Sequence, residues 1–173
     1  GQPRNSRLHR GENIEETYVR NQETNRVLDV KGAEGAPDWD EPTPAYNTQY
    51  PFNTIYESAK HRIELDDTED ASRIMIHHAS GSFIQIDDNG VTVNKSVGDT
   101  YEVTEGSEHK IVGATAGFST VTINGNAYVK VNGNKTEEIT GDLQTLVHGN
   151  YLLSVAKQAN VNAGTQLQMR AAD

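Results

Sequence analysis

The chain has 173 residues, with 15 Lys+Arg against 25 Asp+Glu and a formal net charge of −10. That balance argues against a nucleic-acid partner, which needs a basic surface. With 34% hydrophobic residues and a mean hydropathy of −0.70, a monomeric core would be thin, and the absence of cysteine excludes disulfides and thiolate metal sites.

Residues 1–60 read as an extended linker. The opening stretch "GQPRNSRLHRGENIEE" lacks the apolar core of a signal peptide. The segment "KGAEGAPDWDEPTPAYNTQYPFNT" holds four of the five prolines, and proline fixes φ and removes a donor. Its aromatics, with one just beyond it, are Trp39, Tyr46, Tyr50, Phe52 and Tyr56, too many for a free linker. They are expected to pin the segment to a neighbouring surface.

Residues 61–96 read as short antiparallel strands. Ile63 and Leu65 alternate with polar residues, then Ile74 and Ile76, Ile84 and Ile86, Val91 and Val93. Period-two alternation is the mark of half-buried strands. The breaks are "DDTEDAS", "HASGS" and "DDNG", the last carrying the Asn-Gly hairpin signal.

Residues 97–173 carry a repeat of eight. Aligned, it reads "VTINGNAY", "VKVNGNKT", "EEITGDLQ", "TLVHGNYL", "LSVAKQAN". The third position is always β-branched and apolar: Ile123, Val131, Ile139, Val147 and Val155. The first is Val121, Val129, Glu137, Thr145 and Leu153. Residues two apart in a strand share a face, so each unit offers an apolar inner edge while Thr122, Asn124, Lys130, Asn132 and Glu138 point out. Glycine recurs at Gly117, Gly125, Gly133, Gly141 and Gly149, which are read as corners where a left-handed φ is tolerated. Glycine at this period with β-branched residues makes a poor helix.

A repeat this short signals a solenoid. Two apolar residues per unit are too few to fill a prism made by one chain. Three chains wound together would share the core and pair every strand edge. The expected fold is therefore all-β: an intertwined homotrimeric triple-stranded β-helix, preceded by the linker and the short strands. The expected trimer core is Val121, Ile123, Val129, Val131, Ile139, Val147, Leu153 and Val155. The phase slips between Gly106 and Gly113, and Lys157 stands where the next corner glycine would be. The regular repeat is expected to end near there, with "LQMRAAD" as a cap or frayed tip.

These octads resemble the C-terminal triple-stranded β-helix of the central spike of T-even-type contractile phages. The segment "IELDDTEDASRIMIHHASGSFIQIDDNG" is similar to a module shared by those spikes and the valine-glycine repeat spikes of type VI secretion. The matching residues are Asp66, Asp67 and Thr68, then Arg73 and Ile74, then His77, His78, Ser80, Gly81 and Ser82, then Ile86, Asp87, Asp88 and Gly90. "SRLHRGE" resembles the stretch that leaves the OB domain of such proteins, and "YNTQYPFNTIYES" their following linker. The resemblance implies a virion protein of the tail baseplate that pierces the host envelope when the sheath contracts. It implies contacts with baseplate hub proteins, a separate small tip protein at the C-terminal end, and transient contact with the host outer membrane. It differs from the family in having no OB domain of normal length, no lysozyme domain and no His-x-His motif near the C-terminus. The chain is therefore expected to be part of a longer protein, with no enzymatic activity and no cofactor, although the threefold axis leaves room for an ion of unassigned identity. A type VI secretion spike, and a trimeric tailspike that binds or cleaves surface polysaccharide, are the alternatives.

The remaining chemistry has plainer explanations. His77 and His78 are neighbours in a strand, so they point to opposite faces and cannot chelate one ion from one chain. His148 sits at an outward octad position. Asp66-Asp67 and Asp87-Asp88 could be paired carboxylates of a glycosidase, but turn formation explains them better. "DDNG" lacks the acid spacing of a calcium loop.

Overall fold

The computed structural model describes residues 30–42, 45–49, 51–58, 60–113 and 117–170. Tyr50 and the N-terminal stretch that resembles the exit from an OB domain lie outside the described residues. The chain divides after Ala127 into two units.

The first unit is organised by one antiparallel sheet of five strands: β1 (Asn53–Glu57), β2 (His61–Asp66), β3 (Arg73–His78), β4 (Phe83–Asp87) and β5 (Thr92–Lys95). Their spatial order is their chain order, a meander closed by short turns. β1 falls in the segment expected to be linker, and it pairs along its whole length with β2, from Asn53 opposite Asp66 to Glu57 opposite Arg62.

The turns follow from local chemistry. Between β2 and β3, the Asp66 carboxylate accepts hydrogen bonds from the Thr68 amide at 3.0 Å and the Thr68 hydroxyl at 2.6 Å. Between β4 and β5, the Asp87 carboxylate accepts from the amides of Asn89 and Val91 at 3.0 and 2.9 Å. Gly90 there has φ +74°, and Gly81 between β3 and β4 has φ +94°; both lie in the left-handed region that glycine adopts at little cost.

Beyond β5 the character changes. From Gly98 to Ala127, no described backbone amide reaches a backbone carbonyl, and the same holds from Tyr128 to Arg170. From Asn124 onward the backbone bends at regular intervals. The bends fall at Asn124–Gly125, Asn132–Gly133, Thr140–Gly141, His148–Gly149, Ala156–Lys157 and Gly164–Thr165. The eight-residue rhythm thus continues past Lys157, beyond the point where the glycine pattern lapses. The reason expected for glycine at these corners does not hold. Among the described glycines only Gly35, Gly81 and Gly90 have positive φ.

Candidate functional site

The two faces of the sheet differ in kind. Pleating sends Arg62, Glu64 and Asp66 of β2, Arg73, Met75 and His77 of β3, and Phe83 and Gln85 of β4 to one side, where all are buried. The intervening aliphatics go to the other side. The alternation read in the sequence is therefore correct in period, but within one chain the aliphatic face is the open one and the charged face is the closed one.

The closed face is covered by a strap, residues 45–49. Tyr46 packs on the small apolar centre made by Met75 and Phe83. The Arg73 guanidinium lies over the Tyr46 ring, 4.4 Å from its centroid, and donates to the Ala45 carbonyl at 2.8 Å. Of the aromatics expected to hold this segment down, Tyr46 does so, while Trp39, Phe52 and Tyr56 are exposed. Thr48 donates to the Asp66 carboxylate, and the Gln49 amide donates to the Thr68 hydroxyl at 3.0 Å.

Beneath the strap lies a buried ionic network. Glu64 is fully buried and bridges two cations. Its Oε1 is 2.9 Å from the Arg62 guanidinium, and its Oε2 is 2.6 Å from that of Arg73. Arg73 also faces Asp66 at 3.9 Å. Among the described residues, two guanidiniums thus meet two carboxylates in this network. A second tie joins the upstream segment to the last strand: the Lys95 ammonium reaches Glu41 at 2.6 Å, both nearly buried. Asp66 thus has a structural task in a turn and a network, and Asp87 shapes its turn.

His77 and His78 take opposite faces, as the strand geometry requires. His77 is buried. Burial, reinforced by the nearby charge of Arg62 and by His78, pushes its pKa below the ordinary 6.5, so it is held neutral. His78 is exposed and meets His61 edge-to-face, with ring centroids 4.8 Å apart.

The open face is continuous. Register places Ile63 opposite Ile76 and Leu65 opposite Ile74, then Ile74 opposite Ile86 and Ile76 opposite Ile84. Six aliphatic side chains on three adjacent strands form one patch, each between 38% and 49% exposed. Thr54 and Tyr56 border it on β1, and Thr92 and Asn94 on β5.

The octads are equally open. Val121, Ile123, Val129, Val131, Ile139, Val147, Leu153 and Val155 are all exposed in the single chain. Third-position residues are half covered, at 44–55%, while Val121, Val129 and Leu153 stand at 66–86%. Adding a Cβ at Gly125, Gly133, Gly141 or Gly149 would meet nothing within 4 Å in the chain's own unit. Side-chain bonds here are local and solvated, such as Lys135 to Glu137 at 2.7 Å. That contact draws the Glu137 carboxyl below its usual range and raises the lysine.

The sequence reading missed the charged face. The signal was present: Arg62, Glu64, Asp66 and Arg73 occupy the alternate positions between the aliphatics, and antiparallel pairing sets Asp66 opposite Arg73. Alternation alone names two faces. It does not say which one the chain's own strap will cover.

Comparison with known families gives this arrangement a context. Residues 53–137 match the family described as the phage baseplate V C-terminal trimerisation domain. Protein Gp5 of Vibrio phage KVP40 is 37% identical over 108 residues, which cover 62% of this chain. The chain spans about a quarter of that relative's length, 25%.

Proposed function

We propose that this chain, whose residues 53–137 match the phage baseplate V C-terminal trimerisation domain, is a phage baseplate component and forms the needle of a homotrimeric central spike. In this reading the octads of three copies wind into a triple-stranded β-helix. Val121, Ile123, Val129, Val131, Ile139, Val147, Leu153 and Val155 face the threefold axis.

One observation carries the proposal. Among the described residues, 98–170 expose every apolar side chain and make no backbone ladder with their own chain, and from Asn124 to Thr165 the backbone bends every eight residues. Apolar surface left in water costs roughly 25 cal/mol per Å², and backbone polar groups are obligatory hydrogen-bonding groups. Copies of the same chain supply both the missing apolar partners and the missing ladder. The corner glycines then have a reason that the single chain lacks: they leave room for the close approach of a neighbouring copy.

The role of such a needle is mechanical. It is driven against the host envelope as the sheath contracts, held at one end by baseplate hub proteins and closed at the other by a separate small tip protein. Force resistance follows from topology, because a chain cannot leave an intertwined helix without breaking ladders to both neighbours. The relevant stability is then kinetic. No catalytic step is assigned to it.

Native mass spectrometry tests the oligomer. The expected species is a trimer of about 57 kDa, three times the 19.0 kDa chain, that persists in SDS without boiling. A stable monomer at micromolar concentration contradicts the proposal.

A further inference from the structure

We propose that the strapped sheet folds first, within one chain, and that its aliphatic face is the surface on which two further copies of this chain dock to seed the trimer before the octads pair. The inference rests on the trimeric reading above and adds an order of events and a docking surface.

Three observations support it. First, the sheet is local. Strands adjacent in space are adjacent in sequence, so each ladder closes a short loop, and short loops are cheap in entropy and fast to form. Nothing in its pairing requires a second molecule.

Second, the strapped face is closed over within one chain. Glu64 holds both Arg62 and Arg73, Thr48 caps Asp66, and Tyr46 closes over Met75 and Phe83. A buried ion that loses its partner is strongly destabilising, so these four charges are most stable when sheet and strap form together. The sheet can therefore exist before any contact with a partner.

Third, the opposite face is unfinished. Ile63, Leu65, Ile74, Ile76, Ile84 and Ile86 form one aliphatic surface by register. The described residues of the chain leave it open. This surface lies within residues 53–137, the span that matches a trimerisation domain, and the octads beyond it also lack partners in their own chain. A second copy is the occupant that satisfies both needs at once. Once three sheets meet, three octad strands are held together in one register, and pairing among them becomes effectively intramolecular.

The order is testable on the full chain by refolding from denaturant at two protein concentrations with pulsed amide labelling. Residues 61–87 should gain protection in an early phase whose rate does not depend on concentration. Residues 119–155 should follow in a phase whose rate rises with concentration. Ile76→Asp should leave the early phase in place and slow the later one at least tenfold. Simultaneous protection of both regions in one concentration-dependent step would overturn the order. An unchanged association rate in Ile76→Asp would overturn the docking surface and leave that face to another baseplate protein. Both outcomes would leave a trimer intact. A wild-type chain that never leaves the monomer would remove the trimeric reading and this inference together.

Discussion

The sheet and the octads use the same building material and reach opposite ends. Both alternate β-branched residues with polar ones. In the sheet, the polar positions turn inward, pair as Arg62–Glu64–Arg73 and are roofed by Tyr46 and Thr48. In the octads, neither the apolar nor the polar positions find cover within the chain. The difference lies in the turns. Turns such as those at Asp66–Thr68 and Asp87–Gly90 fold the chain back on itself, so each strand meets the next. The bends at Gly125, Gly133 and the later corners do not reverse it, so no strand is returned to pair. A chain that reverses completes itself. In the proposed needle, a chain that only bends is completed by other copies.

The sharpest way to break this contrast is to charge the axis. Val131→Asp would place three unpaired carboxylates at one level of the trimer, a burial that charge does not tolerate. The trimer is expected to be lost in sedimentation while the sheet keeps its circular dichroism signal. An unchanged melting temperature would mean that Val131 does not face the axis.

Next comes the closed network. Glu64→Ala leaves Arg62 and Arg73 buried without their shared carboxylate, and breaking a buried pair costs about 3–5 kcal/mol. Chemical denaturation should show that loss in the sheet. A cost below about 1 kcal/mol would mean that the network is hydrated in solution.

Gly133→Ala separates the two explanations of the corners. In a lone chain the added methyl meets nothing and φ is not left-handed, so the change would stabilise by about 0.4–1 kcal/mol through the unfolded state. Against a neighbouring copy it overpacks, at a cost of about 1–3 kcal/mol. A lower trimer melting temperature is expected, and a higher one would remove the close approach.

The pH response of the sheet is smaller and has a defined sign. His77 has a folded pKa below its unfolded value of about 6.5. The unfolded chain therefore binds the proton first, and stability falls as pH drops below about 6.5 until the folded pKa is passed. Above that range His77 contributes no slope. His77→Gln should flatten the response between pH 5 and 7. A slope that survives the substitution would belong to other groups.

The smallest effects belong to the outward octad positions. Asn124, Lys130, Asn132 and Glu138 should each accept alanine for about 0.5 kcal/mol or less. A large loss at two of them would exchange the faces, since a one-residue slip in register does that.

These contrasts also mark how far the sequence could be read. The strands from Ile63 to Val93 and their turns were legible, because alternation and the Asp-Asn-Gly signal are local. The side of the sheet that closes was not, because it depends on Tyr46 and Thr48 reaching back from a segment with no periodic signal. The strand at Asn53–Glu57 was missed for a related reason: it lies in a Pro-rich stretch and shows little alternation. The octad rhythm was legible from glycine. Its continuation through Ala156–Lys157 and Gly164–Thr165 was not, because these bends do not need a left-handed φ and so do not need glycine.

Amide hydrogen exchange on the assembled full chain tests the central contrast most directly. In the sheet, protection is already explained by ladders within one chain. In residues 119–155, where the described backbone finds no acceptor in its own chain, exchange slowed by many orders of magnitude is expected, with protection that vanishes when the trimer is dissociated. Fast exchange in that region of an intact trimer would contradict it.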